Sequence, residues 1–159
     1  MANYIIDGHD LSSLFDGQYP TIKFSEDPKD HLPPRGSIIY TVFDRGGKFI
    51  YVGIAGIQKL PDKRSCISRM MSHRSGRRSG DQFCVYVHDV FVIPELVKEG
   101  SYAPSRGLLD RLTKEYIQEN LSYRFCSFKT DDSIGVLRSL EAQIKNGCCG
   151  LKPYLNGLD

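Results

Sequence analysis

Two short apolar runs separated by a glycine-rich tetrapeptide stand in the first third of this chain. Ile38–Phe43 and Lys48–Ile54 are rich in Ile, Val, Phe and Tyr, and Asp44-Arg45-Gly46-Gly47 lies between them. The pattern predicts a β-hairpin. Upstream, residues 1–35 are interrupted by Glu26-Asp27-Pro28-Lys29-Asp30 and Pro33-Pro34, and only Leu11–Phe15 predicts a small helix. This stretch reads as an N-terminal extension packing on a domain of residues 36–159. Downstream, Asp62 can cap a helix running to about Arg74. Ser75–Asp81 is a polar, glycine-flanked loop. Phe83–Ile93 is rich in Val, Phe and Tyr and predicts a central strand. From about Ser105, Leu108, Leu109, Leu112, Tyr116 and Ile117 recur at helical spacing. Ser122–Phe128 predicts another strand. Asp131 or Asp132 can cap a last helix through about Asn146, where Gly147 stops it. The order β-β-α-β-α-β-α predicts an α/β (α+β) fold, a small mixed β-sheet opened by a hairpin and flanked by helices.

A length of 159 residues suits one domain with a sizeable core. Hydrophobic content of 40% and charge of 25% are those of an ordinary globular protein. No run approaches the length of a membrane span, and the N-terminus lacks a basic region followed by an apolar one, so the expectation is a cytoplasmic protein with no membrane partner. Five cysteines, an odd number, fit reduced thiols better than a disulfide framework. Cys66, Cys84 and Cys126 fall in apolar patterns. Cys148-Cys149 has no second spaced pair and makes a poor zinc site.

The net charge of +2 says little, but its distribution says more. Lys63 to Arg78 carries Lys63, Arg64, Arg69, Arg74, Arg77 and Arg78 with no acid among them. Such a stripe is a candidate phosphate footprint, with Arg64, Arg74, Arg77 and Arg78 as the candidate nucleic-acid contacts, or else a solvated basic loop.

Four further features bear on chemistry. Tyr40 and Tyr51 sit on the two predicted hairpin strands, where a sheet holds phenol groups rigidly. Arg69 and His73 lie four apart on one helix face, flanking an apolar face of Cys66, Ile67, Met70 and Met71, and are expected half-buried at its rim. They could share one phosphate or form a surface pair. Glu141 projects into the apolar stripe of Ile134, Leu137 and Ile144, and a carboxylate there needs a partner. An arginine would make a structural ion pair; a divalent metal would make a site. Asn156 stands in Tyr154-Leu155-Asn156-Gly157, a turn-like tail.

In type and order these residues resemble the signature of the GIY-YIG endonuclease family. The hairpin carries Ile38-Ile39-Tyr40 and Tyr51-Val52-Gly53, followed by Arg69 and His73 one helical turn apart, Glu141 on a late helix and Asn156 near the end. The resemblance spans about residues 36–157. Ile38 replaces the motif's glycine, and the gap from Tyr51 to Arg69 is long; Arg64 is the other arginine in reach but lacks a histidine four residues on. The resemblance implies a one-metal phosphodiesterase of small, stand-alone restriction or repair type acting on DNA, as a homodimer if both strands are cut. It implies that Glu141 holds Mg²⁺ (or Mn²⁺), that Arg69 stabilises the pentavalent phosphate, and that Tyr40 helps deprotonate the attacking water. His73 or Tyr51 would orient that water or relay the proton, and Asn156 would bridge the ends of the site. A phenol base has to be lowered from about 10, for which Arg69 and the metal are the expected sources of positive charge. A non-catalytic nucleic-acid-binding domain on the same fold is the alternative, as is an unrelated α/β domain.

Overall fold

The hairpin forms with boundaries one residue from those expected, as β4 below (Ser37–Phe43) and β5 (Phe49–Ala55). Its turn is closed at both ends by Asp44. The Asp44 backbone N–H donates to the Lys48 carbonyl and Oδ1 accepts from the Lys48 N–H at 2.8 Å. Gly47 takes φ +82°, a conformation that glycine adopts without strain. The computed structural model describes residues 4–56, 65–100, 105–128 and 134–158.

Elements in chain order begin with β1 (Ile5–Ile6), β2 (His9–Asp10), α1 (Ser12–Phe15) and β3 (Ile22–Lys23). After β4 and β5 come α2 (Cys66–Arg74), α3 (Gln82–Val87), a π-helical turn at His88–Val92 and α4 (Ile93–Glu99). The chain ends in α5 (Arg106–Asn120), β6 (Ser122–Phe128) and α6 (Ile134–Lys145). The fold is α+β. Among the described residues there are two sheets, a β1–β2 ribbon and a four-stranded sheet of order β3-β6-β4-β5. Every pairing is antiparallel, so the sheet is not of the mixed kind expected. The reason is the missing strand at Phe83–Ile93, which would have needed a crossover connection.

That segment is helical. Asp81, in an extended conformation, caps it by accepting from the Cys84 N–H. Phe83, Cys84, Val87, His88 and Val92 are buried at helical spacing, widened by one residue across the π-turn. Burial of one helix face against the sheet outweighs the strand preference of Val, Phe and Tyr. α2 begins at Cys66 with Ser65 as its cap, Oγ accepting from Ser68 N–H at 3.0 Å. The caps assigned to Asp62, Asp131 and Asp132 lie outside the described residues, as does Arg64. α5 is capped by Ser105.

The sheet separates two cores. One joins Ile38, Tyr40, Val42, Ile50 and Tyr123 to Cys66 and Met70 of α2, Phe83, Cys84 and Val87 of α3 and Ile117 of α5. The other joins Ile39, Phe43, Phe49 and Val52 to Leu137, Leu140 and Ile144 of α6 and to Ile6, Leu11 and Leu14. The N-terminal residues thus complete one core, place Phe24 in the other, and supply strand β3 beside β6. No helix among the described residues is long and apolar enough to cross a membrane.

Candidate active site

Gly53 stands directly across the hairpin from Tyr40. A Cβ at Gly53 would overlap the Tyr40 hydroxyl and ring, so only glycine lets the phenol lie flat across its partner strand. Tyr40 is 1% exposed. Its hydroxyl reaches His73 Nε2 at 2.7 Å. Tyr51, partly buried, sits beside both, with ring centroids 6.2 Å from Tyr40 and 6.1 Å from His73. Phe83 closes the group, 4.6 Å from His73 and 5.0 Å from Tyr51.

His73 lies on the buried stripe of α2 with Cys66 and Met70, and not at the half-buried rim expected of it. Met71, expected in the apolar face, is turned outward and 41% exposed. The period explains both: positions 66, 70 and 73 share one face, and 71 lies about 100° from its neighbour. Arg69 remains half-buried, and its side chain carries no hydrogen bond or ion pair among the described residues. Its charge nonetheless reaches Tyr40, Tyr51 and His73.

The far nitrogen of His73 is held by a residue the sequence reading passed over. Asp81 is 3% exposed, and its Oδ2 lies 2.8 Å from His73 Nδ1 and accepts from Ser72 Oγ at 2.6 Å. Burial opposes the charge on Asp81, but the hydrogen bonds from His73, Ser72 and Cys84 N–H and the proximity of the imidazole prevail, holding its pKa down to about 2. An ionised carboxylate only accepts, so His73 carries its proton on Nδ1. Burial lowers the pKa of His73, outweighing Asp81, and keeps the ring neutral. Nε2 is therefore an acceptor, and Tyr40 O–H donates to it. In the sequence Asp81 stands only as the last residue of the polar loop Ser75–Asp81, before a segment whose composition favours a strand.

Burial, helped by the charges of Tyr51, Asp81 and Glu141, pushes the Tyr40 phenol well above its ordinary value; Arg69 opposes this and loses. Tyr51 is raised too, by burial and then by Glu141 and Asp81. Arg69, one of the two expected sources of positive charge with the metal, does not by itself offset the burial of Tyr40, because desolvation is the larger effect.

Glu141 lies one turn after Leu137, at the flank of the buried stripe Leu137, Leu140 and Ile144, with Ile134 39% exposed. It is half-buried, not in the middle of the stripe as expected. Its partner is Lys145, one turn further along the helix, with Nζ 3.2 Å from Oε1. The charge of Glu141 acts on both tyrosines. No cluster of three His, Cys, Asp or Glu among the described residues is placed to hold a metal ion. A single carboxylate is a donor of the kind Mg²⁺ takes, since the ion keeps most of its waters; Lys145 would have to release Glu141 for it.

Asn156 clamps the edge strand. Its Nδ2 donates to the Val52 carbonyl at 2.7 Å, and Oδ1 accepts from the Val52 N–H at 3.2 Å, while Tyr154 and Leu155 pair with Phe49 and Ile50. The tail therefore fixes β5 on either side of Tyr51.

The basic run is only partly free. Arg74 donates to the Ser25 carbonyl at 3.1 Å, and Arg78 Nε pairs with Asp110 at 2.8 Å. Arg77 is exposed.

The titrations predict acid sensitivity. His73 and Asp81 both have folded pKa values below their unfolded ones, so each favours the folded state fully above its unfolded value and loses that stability as pH falls through the folded one. Thermal melts should hold level from pH 8 to 7, begin to fall below about pH 6.5 as unfolded histidine protonates, and fall again below about pH 4. A melting temperature that rises from pH 7 to 5 would contradict the buried neutral His73.

No protein-family model, no curated protein and no solved structure matches this chain.

Proposed function

We propose that this chain is a metal-dependent endonuclease of GIY-YIG type that hydrolyses DNA phosphodiester bonds. What carries the reading is the meeting of Tyr40, Tyr51 and His73 in ring contact, with the charges of Arg69 and Glu141 acting on both phenols. A core packed for stability alone has no use for a guanidinium without a side-chain partner among the described residues whose charge reaches one buried and one partly buried phenol.

Phosphodiester hydrolysis needs a deprotonated water, neutralisation of the phosphoryl oxygens and help for the leaving 3′ oxygen. Tyr40, kept a phenol, acts by exchange: it takes a proton from a water held inside the site as it gives its own to His73 Nε2. Tyr51 orients that water. Arg69, whose guanidinium has no partner among the described residues, binds the phosphoryl oxygens as charge builds on them. Glu141 would hold Mg²⁺ or Mn²⁺, which when bound would supply stabilisation of the leaving oxygen. Asn156 holds β5, and with it Tyr51, in place. A chain of one active site that cuts both strands does so as a homodimer.

The alternative, a non-catalytic nucleic-acid binder, predicts binding without turnover. Supercoiled plasmid, flap DNA and single-stranded RNA, each incubated with Mg²⁺ and with chelator, separate the two. The nuclease reading expects cleavage of a DNA substrate with Mg²⁺ alone; retention of all substrates intact, with binding, favours the binder.

DNA contact by the basic run falls chiefly to Arg77, because Arg74 and Arg78 are engaged at home. Arg77→Ala should reduce the slope of log K against log salt by about one phosphate's worth and weaken binding evenly across sequences. Arg78→Ala should act on stability first. Equal effects on the salt slope from both would show that the Asp110 pair opens on binding.

A further inference from the structure

We propose that Asp81 is a positioning residue of this site: it fixes the tautomer of His73 so that Nε2 can take the Tyr40 proton. The consequence for catalysis rests on the nuclease reading; the tautomer does not.

The geometry is that of a relay with three members on three elements. Tyr40 comes from β4, His73 from α2, and Asp81 from the cap of α3. The contacts are 2.7 Å from Tyr40 Oη to His73 Nε2 and 2.8 Å from Nδ1 to Asp81 Oδ2. Two further hydrogen bonds fix the Asp81 carboxylate, and a third contact ties its helix to α2. Ser72 Oγ donates to Oδ2, the Cys84 N–H donates to Oδ1 at 3.3 Å, and Cys84 Sγ donates to the His73 carbonyl at 3.3 Å, tying α3 to the end of α2. A carboxylate so buried and so bonded cannot swing away without leaving donors unpaired. The titratable or charged groups facing His73 are Tyr40 on β4, Tyr51 on β5, Arg69 on its own helix, and Asp81 with Cys84 on α3. Among the described residues only Asp81 meets the ring at Nδ1.

The proton account closes. A water O–H breaks and a new Tyr40 O–H forms, while the original Tyr40 O–H breaks and Nε2–H forms. His73 becomes an imidazolium whose Nδ1–H still donates to Asp81, which stays ionised. The resulting hydroxide attacks phosphorus, the P–O3′ bond breaks, and the 3′ oxygen leaves with the electron pair and takes a proton from solvent. The reverse exchange through Tyr40 returns the His73 proton to water.

Asp81→Asn keeps size and the helix-capping oxygen but can present an amide N–H to Nδ1, moving the histidine proton to Nε2 and reversing the bond to Tyr40. In single-turnover cleavage with Mg²⁺ we expect a loss of roughly 10²–10⁴-fold in rate with KM little changed, the range for a misplaced acid–base partner. The acid limb of the pH profile should move to lower pH, since the imidazolium loses its counter-charge. A residue with a structural role only would lower the melting temperature without moving either. The second measurement is on the wild-type protein, so it does not depend on the variant folding. Long-range ¹H–¹⁵N NMR of His73 at pH 7 should show Nδ1 protonated and Nε2 bare. A proton on Nε2, or an Asp81→Asn variant that cuts within about threefold of wild type at an unmoved pH limb, overturns the proposal. A wild-type protein that cuts nothing but shows the Nδ1–H tautomer sinks the nuclease reading and leaves the positioning role of Asp81 standing.

Discussion

Glu141→Gln should abolish cleavage while leaving the melting temperature within about 2 °C of wild type. The first half follows from charge. The amide keeps the shape of the side chain but no longer holds a divalent ion, and loss of metal stabilisation at the leaving oxygen is worth several kcal/mol, or at least about 10³-fold in rate. The second half follows from where the partner sits. Had Glu141 neutralised a fully buried arginine, the same change would strand a cation at a cost of about 3–5 kcal/mol. Its partner is Lys145, one turn away on the same helix and 24% exposed, so the flexible ammonium can turn to water. A half-exposed pair at this spacing is worth only about 0.3–1 kcal/mol. Parallel thermal melts and plasmid cleavage decide the matter. A large fall in melting temperature with activity kept at low temperature would make Glu141 a structural residue.

Gly53→Ala is the second change of large effect, and it acts on the fold and the chemistry together. The added methyl would occupy the place of the Tyr40 hydroxyl on the facing strand. Tyr40 is packed on all sides, so it has to shift with its strand, and overpacking of this kind costs about 1–3 kcal/mol. Moving the phenol also breaks its bond to His73 and leaves Nε2 buried without a donor, at roughly another 1–3 kcal/mol. For a chain of this size the sum corresponds to a fall in melting temperature on the order of 10 °C. Cleavage should fall by at least about 10²-fold even where the variant is folded, because the proton path is cut. An alanine variant with wild-type melting and wild-type rate would mean that the Tyr40–His73 bond is neither tight nor used.

How much of this could be read in the sequence depends on how local its cause is. The hairpin, α5, β6 and α6 follow from periodicities and turn residues within a few positions, and their bounds fall close to those expected. The tyrosine pair and its glycine come from the same local pattern. Phe83–Ile93 is helical although its Val, Phe and Tyr content favours a strand, because the core packed against it and the Asp81 cap decide otherwise. Ile22–Lys23 pairs with β6 over two residues, too short a signal for any pattern. The partners that disarm Arg74 and Arg78 are Ser25 and Asp110, forty-nine and thirty-two residues away. Asp81 escaped for the same reason: eight residues after His73, its meaning lies in a fold that turns α3 back onto α2.

The central claim is that this constellation attacks phosphorus with water and expels the 3′ oxygen. The most direct measurement is the chemistry of the product ends. A short labelled DNA is incubated with the protein and Mg²⁺ in ¹⁸O-water, and the fragments are weighed by mass spectrometry. The account predicts 5′-phosphate ends carrying one solvent oxygen, 3′-hydroxyl ends, and no product when chelator replaces the metal. Intact substrate with Mg²⁺ and Mn²⁺, or cut ends bearing 3′-phosphate, would contradict it.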